Sequence, residues 1–206
     1  MRNSYASLSV SFMVVLTLIS CSKQEGNVNQ IDLSGEWAFQ IYSLDQGIEN
    51  KWFDTKLIDK IVLPGSMTTN AKGYDVAVNT PWTGSIVDST FFNDPEYEKY
   101  REPGNVKVPF WLQPVKYYKG AAWYQKEVII PSSWEQNYVE LFIERSHWET
   151  TVWVDAHMVG MQNSLGTPHV FDLTKQLTPG THRLTIRVDN RVKEFKVGEN
   201  SHSISD

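Results

Sequence analysis

The chain has 206 residues, 19 Lys plus Arg against 24 Asp plus Glu, and a formal net charge of −5. A mildly acidic chain without a Lys/Arg cluster is a poor partner for nucleic acid, whose affinity comes largely from phosphate neutralisation. The single cysteine, Cys21, excludes an intramolecular disulfide, and the length that remains after a leader fits one domain.

The first twenty residues have the pattern of a targeting segment. Arg2 gives a small positive start, and Val10 to Ile19 is an apolar run too short to span a bilayer as a stable helix. The run closes in Leu18-Ile-Ser-Cys21, which resembles a bacterial lipobox, where the cysteine receives lipid and becomes the mature N-terminus. The organisation expected is therefore a lipoprotein signal peptide over 1–20, lipid attachment at Cys21, a polar aperiodic tether over 21–30, and a folded domain over 31–206. The localisation that follows is the cell envelope of a Gram-negative bacterium, periplasmic or outer membrane, with membrane contact through the lipid alone.

The segment Asp32 to Tyr42 opens the domain as a strand, with Trp37, Phe39 and Ile41 on one face. Lys60 to Leu63 is a second short strand, stopped by the Pro64-Gly65 turn signal. From Thr68 to Val106 the chain is polar, aperiodic and rich in aromatics, among them Tyr74, Trp82, Phe91, Phe92, Tyr97 and Tyr100. Loops of that length are usually functional or disordered, and disorder is aromatic-poor. An ordered insertion folded over one end of the domain is expected, with a helical turn or two over Asp94 to Arg101.

The stretch from Ala121 to Asn190 carries the strongest pattern, apolar and polar residues alternating with period two between turn signals. In Ala121 to Pro131 the face bearing Tyr124, Val128 and Ile130 is expected to be buried. Val139, Leu141 and Ile143 alternate cleanly with polar neighbours, and Thr150 to Asp155 with Met158 to Gly160 forms a hairpin. In Arg183 to Asn190, Leu184, Ile186 and Val188 point inward, while Arg183, Thr185, Arg187 and Asp189 point out. Many short strands without intervening helical pattern imply an all-β protein: a two-sheet antiparallel sandwich.

Four motifs in order resemble one family. Ala122-Trp-Tyr-Gln-Lys126 with Val128-Ile-Ile-Pro131 resembles the opening of its central strand. Thr151-Val-Trp-Val-Asp-Ala-His-Met-Val-Gly160 resembles its Val-Trp-Val strand, Asn-Gly turn and Val-Gly return. His169-Val-Phe-Asp-Leu-Thr174 and Leu184-Thr-Ile-Arg-Val-Asp-Asn190 resemble its later strands, and Leu63-Pro-Gly-Ser-Met67 its exit into a site-facing loop. The chain thereby resembles the N-terminal sugar-binding domain of glycoside hydrolase family 2, the β-galactosidases and β-glucuronidases, over roughly Leu33 to Asp206. The turn departs from the pattern, with Asp155-Ala156 in place of Asn-Gly. Because alanine resists positive φ, a longer turn shared by Asp155 to Met158 is expected.

The resemblance implies a jelly-roll sandwich whose final strand is missing, and partners in a C-terminal immunoglobulin-like domain and a (β/α)8 barrel. It implies substrate contacts at Asn79, in Val78-Asn-Thr-Pro-Trp82, and at Asp206, which in some members helps to hold a sodium ion. Trp82, Trp111 and Trp148, at loops or strand ends, are candidates for stacking on a sugar, whereas Trp37 and Trp153 suit the core.

No catalytic residue is assigned. Glycoside hydrolysis in most families needs two converging carboxyl groups, whereas Glu127, Glu140 and Glu144 fall on solvent-facing strand positions and Asp94, Glu96 and Glu98 in the insertion. In the family both catalytic glutamates lie on the barrel. His147, His157, His169, His182 and His202 match no zinc spacing, so no metal or cofactor is expected within the chain; His147 stands at a strand entrance, where a ring can line a pocket. Ser132, Ser133 and Ser146 lack a nucleophile-elbow context. The expected role is a carbohydrate-facing module of a β-galactosidase-like enzyme, inactive alone. The alternatives are a free-standing carbohydrate-binding lipoprotein and a remnant of a disrupted glycosidase gene.

Overall fold

A computed structural model describes residues 29–42, 44–82, 89–108 and 112–191. Cys21, Trp111, His202 and Asp206 lie outside the described residues, as do the leader and the stretch that bears on a missing final strand. Among the described residues eight strands account for most of the regular structure: β1 Gly35–Ile41, β2 Asp59–Leu63, β3 Ala121–Ile130, β4 Glu140–Ile143, β5 Glu149–Val154, β6 His157–Asn163, β7 His169–Asp172 and β8 Gly180–Asp189. They form an all-β, antiparallel sandwich with unequal layers. One sheet has six strands in the order β2-β1-β3-β8-β5-β6, and the other has only β4 and β7.

Register decides which residues share a face. Trp37 pairs with Ile61, Phe39 with Tyr124, Tyr124 with Ile186, and Ile186 with Val152. With Val128, Ile130, Val154 and Leu184 these build the first face of the large sheet, all buried save the half-buried Tyr124. Burial pushes the Tyr124 phenol up to about 12. The two-stranded sheet lies on this side: Leu141 and Phe171 are paired and buried, and a Cβ on Gly160 of β6 would stand 3.8 Å from the Phe171 ring. Of the expected inward sets, Trp37, Phe39, Val139, Leu141, Leu184 and Ile186 are buried where period two put them, and Ile41, Ile143 and Val188 are half-buried.

The second face departs from expectation. Thr185 is 0% exposed and Asp189 1%, and Arg187 is buried as well, although all three alternate as outward residues. In β3, Val128 and Ile130 are buried as expected, yet Trp123 and Gln125 on the opposite side are buried too. The cause is a strap, residues 44–57, which crosses this face in consecutive tight turns. The Gln125 side chain pins it, donating to the carbonyls of Trp52 and Thr55 at 2.8 Å and accepting the Leu57 N–H at 3.1 Å. Phe53 stacks on Trp153 and Trp52 meets Trp123 edge-on, so strap and sheet share a small core of Leu57, Trp123 and Trp153. Gly47 is required at its point of contact, because a Cβ there would fall 2.4 Å from the Trp123 indole nitrogen. Beyond the strap this face returns to solvent, and Ile129 is 72% exposed.

The β5–β6 turn is a second correction. It has two residues, Asp155 at φ 46° and Ala156 at φ 69°, so alanine does adopt the left-handed conformation. The Asp155 carboxylate holds it there, accepting the Arg183 N–H at 2.8 Å and bonding His182 Nδ1 at 2.5 Å. The extra residue of the pairing appears instead as an irregularity between Val152 and Trp153.

Candidate functional site

The insertion between β2 and β3 is ordered over its described residues. It contains a short helix α1, Thr90–Asn93, and a 3-10 turn over Pro95–Tyr100, where helical turns were expected. Asp94 caps that turn by accepting the Glu96 N–H, and Arg101 donates to the carbonyls of Phe91 and Asp94. Phe91, Val106 and Val108 are buried, and the Lys72 ammonium lies 5.7 Å from the centre of the Phe39 ring on the first face.

A knot of aromatic residues stands within the insertion. Tyr74 and Tyr117 exchange both backbone hydrogen bonds, at 2.8 and 2.9 Å. Gly73, at φ 117°, allows this approach, since a Cβ there would lie 2.9 Å from the Tyr117 carbonyl. The Tyr117 hydroxyl donates to the Pro81 carbonyl, and its ring meets Trp82 edge-on at 5.4 Å. Tyr74 packs at 5.9 Å against Tyr118, whose hydroxyl donates to the Ala121 carbonyl. Burial raises the Tyr117 phenol above its ordinary value. Burial chiefly, then the neighbouring Tyr74, Asp45 and Asp189, raise the Tyr118 phenol against a smaller lowering by Arg191. Both hydroxyls therefore stay protonated as donors.

Asn79 sits on the turn beside this knot. Thr80 N–H donates to the Ala77 carbonyl, and the Thr80 hydroxyl accepts the Ala77 N–H at 2.8 Å, so the turn is closed twice. Asn79 is exposed at its crest, and Trp82 is half-buried. The two candidates thus share one frame. The ion pair Lys116–Asp75, at 2.6 Å, flanks the Tyr74–Tyr117 bridge.

The other aromatic candidates fare differently. Trp148 is buried at 4% exposure, with its indole N–H donating to the Arg191 carbonyl, so it is a core residue and not a stacking surface. His147 is exposed and stacks on Trp148, and it lines neither of two shallow concavities found among the described residues. One concavity, about 330 Å³, is bordered by Glu36, Ala38, Lys56, Gln125, Lys126, Glu127 and Arg183. The second, about 430 Å³, is bordered by Gln40, Ile41, Ile58 and Asp59.

Two polar clusters escaped the sequence reading. Asp45, Glu149 and Asp189 converge on Arg187 at the end of the strap, with Arg191 bridging Asp45 and Asp189. Burial opposes ionisation of Asp189, but the Arg191 and Arg187 guanidiniums outweigh it and hold the carboxyl below its usual range. Held ionised in this way, Asp189 is no protonated acid for glycoside chemistry. The second cluster runs from Ser146 through Thr150 to the fully buried His169, which reaches the Ser164 carbonyl through Nε2. Alternation hides both, because a polar residue in a strand looks outward until something covers it. Among the described residues no group of three or more His, Cys, Asp or Glu side chains has a metal-binding arrangement, and no helix is long and apolar enough to cross a membrane.

Residues 81–203 match the model of the glycosyl hydrolases family 2 sugar binding domain. The chain belongs to this family. As a family 2 domain it is 25% identical over 160 residues to a β-glucuronidase of Paenibacillus borealis, covering 77% of this chain and 21% of that protein. It is 21% identical over 159 residues to a β-galactosidase of Pectobacterium atrosepticum, covering 76% of this chain and 13% of that one. The chain thus spans about a fifth or less of the length of these relatives. Among solved structures, a β-glucuronidase from Ruminococcus gnavus in complex with D-glucaro-d-lactam aligns with a TM-score of 0.52 at 17% identity. It covers 79% of this chain and 22% of its own. A β-glucuronidase from an uncultured Clostridium sp. aligns with a TM-score of 0.52 at 18% identity, covering 78% and 22%. At that identity they establish the shared fold of the family 2 N-terminal sandwich.

Proposed function

We propose that the chain is the carbohydrate-facing N-terminal module of a β-galactosidase-like family 2 glycoside hydrolase, and that the catalytic carboxylates belong to a partner domain. The observation that carries this reading is the family match over residues 81–203, which begins inside the aromatic insertion and takes in β3 to β8. The greater length of the relatives supports a partnership with immunoglobulin-like and barrel domains. Asn79 and Trp82 are the sugar contacts of this module. Asp206 is a further contact, beside which a longer enzyme holds a sodium ion. Cys21 carries the lipid that keeps the module at the envelope of a Gram-negative bacterium, on the periplasmic or outer-membrane side.

Affinity electrophoresis of the purified chain through gels bearing β-galactoside or β-glucuronide polymers tests the sugar-facing role. Retardation by at least one polymer is expected, and migration unchanged by either would overturn it. The same preparation is expected to leave nitrophenyl galactoside and glucuronide intact. Turnover that vanishes on mutating one of the chain's own carboxylates would refute the assignment of catalysis to a partner. Labelling with an alkynyl fatty acid checks the anchor: label is expected on the wild type and absent from Cys21→Ser.

A further inference from the structure

We propose that β4 is a pairing edge for a second copy of this chain, the two β4 strands running antiparallel about a two-fold axis at Leu141. Among the described residues the two sheets end in four strand edges, and three of these are blunted from within the chain. At β2, the Asn70 amide grips both backbone groups of Val62, accepting its N–H at 2.9 Å and donating to its carbonyl at 3.0 Å. The Asp59 carboxylate takes the Lys60 N–H at 2.7 Å. At β7, Gln162 grips Val170 in the same way, accepting its N–H at 3.0 Å and donating to its carbonyl. β6 is interrupted by its register shift, since Val152 pairs with Gly160 and Trp153 with Met158, which leaves Val159 over. Side-chain grips and bulges of this kind keep an edge from pairing with another chain.

β4 has no such guard. Val139 turns both backbone groups to the β7 side, its N–H to the Thr174 hydroxyl at 3.0 Å and its carbonyl to the Leu173 N–H at 2.8 Å. Antiparallel pairing alternates, so Leu141 and Ile143 follow Val139, whereas Glu140 and Phe142 turn their N–H and C=O groups to the free edge. Among the described residues nothing bonds the edge groups of Glu140 and Phe142. Their side chains lie on the outer face with that of Tyr138, and Phe142 is 58% exposed. An extended strand is the chemistry that such an edge accepts.

The strand's own sequence favours a second copy as the occupant. Residues with outward backbone groups must face each other, which leaves three two-fold registers of β4 against itself. Centred on Glu140, the pair sets two Glu140 carboxylates opposite one another. Centred on Phe142, it sets Glu140 opposite Glu144. Centred on Leu141, it sets Glu140 opposite Phe142 and Tyr138 opposite Glu144, with no like charges in register. That register also sets Val139 against Ile143 and Leu141 against itself, so the inner apolar face of β4 continues across the axis. Glu140 and Phe142 then satisfy all their edge groups. A contact this short buries little area, so the dimer is weak and forms at high concentration.

Sedimentation and amide hydrogen exchange of the purified full-length chain over a concentration series test this. The Glu140 and Phe142 amides should exchange freely in dilute protein and slow as a dimer appears in sedimentation. The Val62 and Val170 amides, held by side chains of their own chain, should not change. Phe142→Glu sets like charges opposite Glu140 on both sides of the axis, so it should weaken the dimer about tenfold. Phe142→Lys should keep the dimer and make it salt-sensitive, because the introduced ammonium meets Glu140 of the second copy. Phe142 is exposed, so both variants should melt close to the wild type. Glu140 and Phe142 amides protected at every concentration would mean that the chain covers its own edge, and overturn the proposal. Free exchange at every concentration overturns it as well, and so does equal weakening by Phe142→Glu and Phe142→Lys. The exchange readout needs no variant, and none of these results bears on the sugar-facing role.

Discussion

The two faces of the six-stranded sheet are buried by different means. The first face is an aliphatic and aromatic surface, Trp37, Phe39, Ile61, Val152, Leu184 and Ile186, whose stabilisation is non-directional apolar burial. The second is closed by the strap over a mixed surface, where Gln125 and Arg187 are buried on the same face as the stacked Trp123 and Trp153 rings and each polar group needs a particular partner. Apolar packing tolerates substitution of similar volume, whereas a buried polar network fails when one member goes. The strap side should therefore be the more brittle face of the domain.

The largest expected effect comes from Arg187→Ala, which removes the buried guanidinium on which Asp45, Glu149 and Asp189 converge. A loss of roughly 3–5 kcal/mol is expected, read as a lowered urea midpoint, against roughly 2–5 kcal/mol for Leu184→Ala on the first face. A loss below ~1 kcal/mol for the arginine would erase the contrast between the faces. Next comes Gly47→Ala, whose methyl would meet the Trp123 indole at 2.4 Å. Overpacking of this sort costs about 1–3 kcal/mol, and a change in tryptophan fluorescence should accompany it.

Smaller effects attach to the β5–β6 turn. His182 spans two acceptors, the Asp155 carboxylate and the Thr178 carbonyl at 2.7 Å, so it satisfies both only as an imidazolium. Burial opposes that charge, but the bonds to Asp155 and Thr178 outweigh it and raise its pKa. A group raised on folding contributes fully below its unfolded pKa, and the contribution fades as pH rises through the folded one. The wild type should therefore lose its advantage over His182→Gln as pH moves from mildly acidic to alkaline, and a pH-independent gap in melting temperature would refute the imidazolium bridge. Smallest, Ala156→Gly should stabilise the domain by about 1 kcal/mol, since a left-handed alanine is relieved of its Cβ clash. A destabilised glycine variant would mean that the alanine methyl packs usefully.

Legibility follows the same division. Val139, Leu141, Leu184 and Ile186 were found by period two because one covered face leaves a simple alternation. Thr185, Arg187 and Asp189 misled for the same reason, since alternation presumes that the other face is wet. The strap partners of Gln125 lie 68 to 73 residues away in sequence, and no local pattern in the chain announces them. In the knot, Trp82 and Asn79 were visible as loop residues. Tyr117 was not, because its partner Pro81 lies 36 residues upstream and a tyrosine before a strand has no distinctive period.

The order of short alternating segments was enough to determine an all-β antiparallel fold and the motifs of its family, because strand geometry is written in nearest and next-nearest neighbours. Which polar residues are buried, how alanine is held in a tight turn, and which rings meet at the insertion were decided by tertiary structure. Each depends on a contact between distant segments, and the free energy of such a contact exists only once the chain has closed around it.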